Sequence, residues 1–252
     1  MARFRGYGQF CPVAMAAEVF AERWTPLVLR ELLYGHTRFN ELKRGVPLMS
    51  PSLLSQRLKQ LAFAGIIEKT RSADGSPEYR LTKAGEQLRP VVEGLGAWGL
   101  RWLQHQTPAR NFDVALLMWD MRRNLRRDVV PADRRTVIEF VFNGIPSPKR
   151  TWWLVFDEGD VDLCIKRPGF DIDLRVNTDV KTLTDIWMGL TKLKDALDSG
   201  ALQLEGGRDI CNLFRLCFDP HPLARMPEWP WPTLSPTQLA DTRGASPMET
   251  QQ

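Results

Sequence analysis

Histidine and cysteine are scarce in this chain, three and four of them respectively in 252 residues, and their placement excludes more than their number. His36, His105 and His221 stand apart, with no second ligand at helical spacing, so no metal site is expected. Cys11, Cys164, Cys211 and Cys217 have neither the paired spacing of a zinc site nor the density of a disulfide scaffold, and they read as free thiols. Long apolar runs are missing too: nothing approaches the roughly 20 residues that cross a bilayer, and no apolar segment or cleavage site follows the basic residues Arg3 and Arg5. A cytoplasmic chain without membrane contact is the expectation. Catalytic signatures are equally thin. There is no serine nucleophile elbow, and the glycines Gly94, Gly96 and Gly99 match a dinucleotide fingerprint only literally, because they lie inside a helical stripe rather than between a strand and a helix. Neither an enzyme nor a cofactor is expected.

What is present is globular: 43% apolar and 25% charged residues, in a length that suits two ordinary domains. The net charge of +4 is unevenly spread. Residues 1–107 hold fifteen Lys/Arg against nine Asp/Glu, whereas the remainder holds nineteen against twenty-one. Only the first part has the sign that attracts phosphate.

Residues 12–65 have the pattern of helices with brief breaks. One is expected over 12–20 and a second over 26–33, ended by Gly35; a short one over 38–44 is stopped by Gly45. Ser50 then caps a longer helix with Pro51 at its first position and Leu54, Leu58 and Leu61 inward. After Gly65 the period turns to that of strands, 66–70 and 79–81, around a turn-rich 72–77 that forms a polar hairpin tip. Thr82 opens a long apolar-striped helix, which Pro90 is expected to kink.

Helix, turn, helix and charged hairpin is the order of a winged helix that binds double-stranded DNA. The buried leucines of the Ser50 helix leave Ser52, Ser55, Gln56 and Lys59 outward, with Arg57 beside them, and small hydroxyls and an amide there suit base edges. Ser50 belongs to the same set as the cap. Arg38 and Lys43 before this helix, and Lys69, Arg71 and Arg80 on the wing, suit phosphates flanking the groove. Taken singly, each is also what any solvated helix face carries; the ordered set makes the argument.

Cys11-Pro12, Arg23-Trp24-Thr25, Leu29-Arg30-Glu31-Leu32, Arg38-Phe39-Asn40-Glu41-Leu42, Arg57-Leu58, Gly65-Ile66-Ile67 and Tyr79-Arg80-Leu81-Thr82, with Gly35, Ser50, Leu54, Leu61 and Gly85, resemble the HxlR-type winged helix-turn-helix regulators over about residues 8–103. The resemblance implies a homodimer on an inverted-repeat operator, its interface supplied by the first and last helices of the domain. Gly94, Gly96 and Gly99 beside Trp98 and Trp102 suit close packing there or within one chain. It also implies a redox-sensing candidate in Cys11, the alternative being a buried structural thiol.

The boundary is expected at 106–110, giving a DNA-binding domain over 1–106, an α+β domain over 108–218 and a proline-rich, disordered tail over 220–252. Beyond a helix over 112–127, strands are expected over 136–142, 152–156, 170–177 and 202–204. Thr182 starts a helix running to Gly200, and a last helix surrounds 210–214. Trp152-Trp153-Leu154-Val155, the strand Asp173-Leu174-Arg175-Val176-Asn177-Thr178-Asp179, Asp185-Ile186-Trp187-Met188-Gly189 and the stretch 196–206 resemble the sterol-carrier-protein fold. That likeness implies an apolar tunnel lined by Phe140, Phe142, Trp153, Trp187, Met188 and Leu190, although the same aromatics also suit a filled core. The fold class read from sequence is therefore a mainly α winged helix-turn-helix followed by an α+β sterol-carrier-like domain. The function is that of a transcriptional regulator answering an apolar ligand or thiol oxidation; a lipid carrier with a weak nucleic-acid-binding domain is the alternative.

Overall fold

Helix starts follow local chemistry in the computed structural model, which describes residues 6–103 and 107–225. Helices α1 (Pro12–Phe20), α2 (Thr25–Leu33) and α3 (Phe39–Gly45) lead into α4 (Pro51–Phe63), where Ser50 Oγ accepts from Leu53 N at 3.2 Å and Pro51 occupies the first turn. Strands β1 (Ile67–Arg71) and β2 (Pro77–Leu81) pair antiparallel as the wing. Val28, Leu29, Leu42, Leu54, Leu58 and Leu61 bury one core beneath them.

The helix expected from Thr82 onward is two helices. Thr82 caps only α5 (Lys83–Glu86), and α6 (Arg89–Trp102) starts afresh with Pro90 in its first turn. Proline lacks the N–H that a helix interior needs but fits the first turn, so Pro90 begins a helix instead of kinking one.

The second core belongs to α7 (Val114–Asn124), α8 (Val180–Trp187), α9 (Leu193–Asp198) and α10 (Arg208–Cys217) against a five-stranded sheet. Its strands are β3 (Thr136–Asn143), β4 (Thr151–Asp157), β5 (Asp160–Cys164), β6 (Leu174–Asp179) and β7 (Leu202–Gly206), in the order β5-β4-β3-β6-β7. The β3–β6 pair is parallel and the other pairs are antiparallel. Strand β5 was not expected. Glu158 and Gly159, both at positive φ, make the two-residue turn that folds it onto β4.

Three sequence expectations shift here for local reasons. Strand β6 starts at Leu174 rather than 170, because the Asp173 carboxylate turns back to accept Val137 N at 2.8 Å. Asp179, not Thr182, caps α8, its carboxylate accepting both Thr182 N at 2.9 Å and Thr182 Oγ1 at 2.6 Å. The expected helix to Gly200 breaks at Gly189, where φ is +73°, into α8 and α9.

The supposed tunnel residues do not line one space. Phe140, Phe142 and Trp187 are fully buried, and Phe140, Phe214, Phe218 and Trp187 pack ring to ring at 5.0–6.3 Å between centroids. Trp153 lies on the opposite sheet face with Val137 and Val155, because successive strand residues alternate sides. Leu190 is exposed, and Met188 borders a different cavity described below. Among the described residues these six side chains are therefore not brought together around one space.

The segment assigned to the tail begins inside the fold. A short 3-10 turn, Pro222–Arg225, packs on α6, where Leu223 lies so close to Gly96 that a Cβ there would come within 2.6 Å of it. The remaining residues, 226–252, and the basic Arg3 and Arg5 lie outside the described residues. Among the described residues, no helix is long and apolar enough to cross a membrane.

Candidate nucleic-acid interface

Helix α4 presents a polar face because its leucines are committed to the core. Ser52, Gln56 and Lys59 are exposed and Ser55 is half-buried on that face. Ser50 Oγ, besides capping, lies 3.1 Å from Ser52 Oγ.

Arg57 departs from the sequence reading. It is 7% exposed, and its guanidinium donates to Glu22 Oε2 and to the Arg23 carbonyl, both at 3.2 Å, and to Gln60 Oε1 at 2.8 Å. Its position, one residue past outward-facing Gln56, turns it inward, where it braces the turn before α2; Trp24 in that turn has φ +77°. Arg57 is thus placed to hold the helix-turn-helix angle rather than to touch DNA.

The wing is tied to the start of α3. Tyr79 N donates to the Thr37 carbonyl at 2.8 Å, and Arg38 bridges Glu78 through the backbone. Arg38 also reaches Asp74 at the wing tip, at 3.0 Å. Hydrogen bonds from the Ser72 hydroxyl and then Ser76, aided by Arg38, hold the Asp74 carboxyl well below the usual range, so the tip carries a fixed negative charge. Arg80 pairs with Glu78 at 2.7 Å, and Lys43 Nζ donates to the Pro47 carbonyl at 2.8 Å. Lys69 lies over the Tyr79 ring and Arg71 donates to the Gly75 carbonyl. Among the described residues Lys59, Lys69 and Arg71 carry no carboxylate partner, which leaves their charge available to phosphate. Cys11 is half-buried at the N-cap of α1.

Behind this surface lies a charged junction that the sequence reading missed. Glu31 of α2 is fully buried, its carboxylate held by Arg30 Nε at 2.8 Å, His36 Nδ1 at 3.1 Å and, from α7, Arg123 Nη1 at 2.6 Å. Burial by itself raises its pKa, but the His36 bond and the charges of Arg123 and Arg30 outweigh that and bring it to about 2. Gly45 makes room for this carboxylate, since a Cβ there would fall 2.0 Å from the Glu31 Cδ. Arg123 also pairs with Asp120, whose Oδ2 accepts from Trp187 Nε1 at 2.8 Å and lies 3.4 Å from His221 Nε2. Trp119 stacks on His36 at 5.1 Å, with Arg44 of α3 5.4 Å from its ring centroid. Helix α7 therefore grips the α2–α3 turn from behind. The only local sign in sequence was the Asp120/Arg123 spacing of three; Glu31 and His221 are some hundred residues away on either side.

Residues 19–107 match the family described as HxlR-like helix-turn-helix. The HTH-type transcriptional regulator YvaP of Bacillus subtilis (strain 168) is 31% identical over 98 residues, which is 38% of this chain and 91% of YvaP. The HTH-type transcriptional regulator sll1512 of Synechocystis sp. is 33% identical over 102 residues, 40% of this chain and 76% of its own length. Of solved structures, quinone-bound YodB from B. subtilis is 31% identical, covering 36% of this chain and 99% of YodB, with a TM-score of 0.32. With a relative matched along nine-tenths of its own length, and with helix, turn, helix and wing in place, the chain belongs to the HxlR-like helix-turn-helix family.

Proposed function

We propose that the protein is a homodimeric transcriptional regulator that reads an inverted-repeat operator through Ser52, Ser55, Gln56 and Lys59. Arg38, Lys43, Lys69, Arg71 and Arg80 contact phosphate, and the α+β unit over 108–218 senses an apolar ligand. The observation that carries this reading is the outward polar face of a capped α4, flanked by Lys69 and Arg71 of the wing, which have no carboxylate partner among the described residues. Support from the family is that its named relatives are HTH-type transcriptional regulators.

The test is a titration of duplex from upstream of the protein's own coding sequence against random duplex, at several salt concentrations. Specific binding is expected to fall with a log–log slope of about −0.9 per neutralised phosphate while preference persists. Gln56→Ala is expected to weaken the specific duplex by roughly 5- to 100-fold and leave random duplex unchanged. Arg71→Ala should weaken both alike and flatten the slope by about 1. Equal affinity for both duplexes overturns the reading.

We place the dimer interface on the exposed apolar side chains Val91, Leu95 and Trp98 of α6 together with Phe10, Val13 and Met15 at α1 and just before it. Trp98→Asp is expected to weaken dimerisation by roughly 30-fold or more in sedimentation equilibrium, as loss of a central interface tryptophan does. Unchanged dimerisation assigns the interface elsewhere.

A further inference from the structure

We infer that the junction between the winged helix and the α+β unit holds a binding site for a neutral, apolar small molecule carrying one acceptor oxygen. This deepens the regulatory reading above, and it rests on that reading only for the step from ligand to DNA.

A cavity of about 260 Å³ lies between the end of α2, α7, α8 and the 221–223 segment, walled by Tyr34, Leu116, Asp120, Met188, His221 and Leu223. That is near the lower end of small-ligand pockets, about 300–1,000 Å³. Phe112, Leu116, Leu117, Met188 and Leu223 supply apolar surface beside a larger set of polar side chains, a mixture that orients a ligand rather than merely admitting one.

The arginines at the cavity are matched within the protein: Arg123 by Asp120 and Glu31, and Arg30 by Glu31, while the Asp113 carboxylate on the rim accepts Leu116 N at the start of α7. An added anion would have to compete with Asp120 for Arg123, and an added cation would meet two arginines. A neutral guest meets neither penalty.

The acceptor oxygen follows from the His221–Tyr34 pair. Leu223 N donates to His221 Nδ1 at 3.0 Å, so that nitrogen is bare and the imidazole proton sits on Nε2. Burial, offset in part by Asp120, keeps His221 below its ordinary pKa and so neutral at pH 7. Nε2–H then faces Asp120 Oδ2 and Tyr34 Oη, each at 3.4 Å. Tyr34 Oη is the acceptor in that contact, which leaves its own proton to donate into the cavity. Burial, with Asp120, raises the Tyr34 pKa, so the proton is retained. A ketone or hydroxyl oxygen of the guest receives it.

The site also has a route to the DNA-reading surface. Tyr34 follows α2 directly and Arg30 lies one turn earlier; Arg30 donates to the Gly45 carbonyl at 3.0 Å at the end of α3. A guest against Tyr34 therefore bears on the α2–α3 turn that sets α4.

The probe for the test is 6-propionyl-2-dimethylaminonaphthalene, a neutral aromatic ketone with polarity-sensitive emission, titrated into the full-length protein. One saturable site per chain with blue-shifted emission is expected. Tyr34→Phe should weaken binding about 3- to 10-fold, one hydrogen bond's worth, with the ring over Arg123 retained. Leu116→Trp, at a lining position outside the packed core, should abolish binding while the thermal melt stays near wild type. Equal binding by wild type and Leu116→Trp overturns the site. Equal or tighter binding of the anionic 1-anilinonaphthalene-8-sulfonate overturns the ligand class. Probe-saturated protein should bind the specific duplex with an altered Kd. Probe binding by a protein that binds no DNA specifically supports the cavity and overturns the regulator, whereas specific DNA binding without probe binding does the reverse.

Discussion

Arg123→Leu is expected to lower the stability of the protein by about 3–5 kcal/mol, because it strips two buried carboxylates, Glu31 and Asp120, of a shared cation. Urea unfolding gives the measurement, with Arg127→Leu for comparison. Arg127 pairs with Asp160 at an exposed site, where such pairs contribute about 0–1 kcal/mol. Similar losses for both variants would show that the junction is energetically an ordinary surface contact. Acid titration of the wild type reports the same cluster. His221, held below 6.5, is neutral in the folded state and protonated on unfolding, so stability is expected to decline first as pH falls below about 6.5. Glu31, lowered from 4.5 to about 2, and Asp120, lowered in the same sense, contribute stability that is complete above 4.5 and lost as pH falls towards 2. In Arg123→Leu this second, more acid decline should shrink, since the cation that depressed both carboxylates is gone.

Trp187→Ala is expected to cost about 3–5 kcal/mol, the range for emptying a buried aromatic site. The side chain is fully buried against Phe218 and His221 and donates its indole proton to Asp120. The same urea experiment, with Trp187→Phe alongside, separates volume from hydrogen bond: phenylalanine restores most of the packing and leaves Asp120 short of one donor. A cost near zero for alanine would mean that Trp187 lines open space, as the tunnel expectation had it. Arg123→Leu and Trp187→Ala should not add, because both act on Asp120.

Legibility tracked the range of the interactions. Ser50, Pro51 and the Leu54/Leu58/Leu61 spacing announce α4 because a helix start and its buried stripe are decided within one or two turns. Thr82 and Pro90 misled for a related reason: both are helix-start signals, and together they mark two starts rather than one kinked helix. The aromatic residues of the second half could not be sorted by pattern. Phe140 and Trp153 look alike as strand residues, and only pairing β3 with β4 sends one to the core and the other to the opposite face. Arg57 shows the same effect on a helix, since a polar residue beside the outward polar face became a buried brace once Glu22 and the Arg23 carbonyl lay within reach.

The sequence by itself determined the winged helix, its order of elements, the polar face of α4 and the basic charge around it. Each of these depends on residues near one another along the chain or on summed composition. Tertiary structure alone decided that Phe140, Phe214, Phe218 and Trp187 pack ring to ring, and that Pro222–Arg225 lies on α6. It also decided that Glu31, Arg123, Asp120 and His221 meet. The reason is physical: a buried charge is tolerated only where opposite charges and donors converge from several elements, and no periodicity in the chain encodes that convergence.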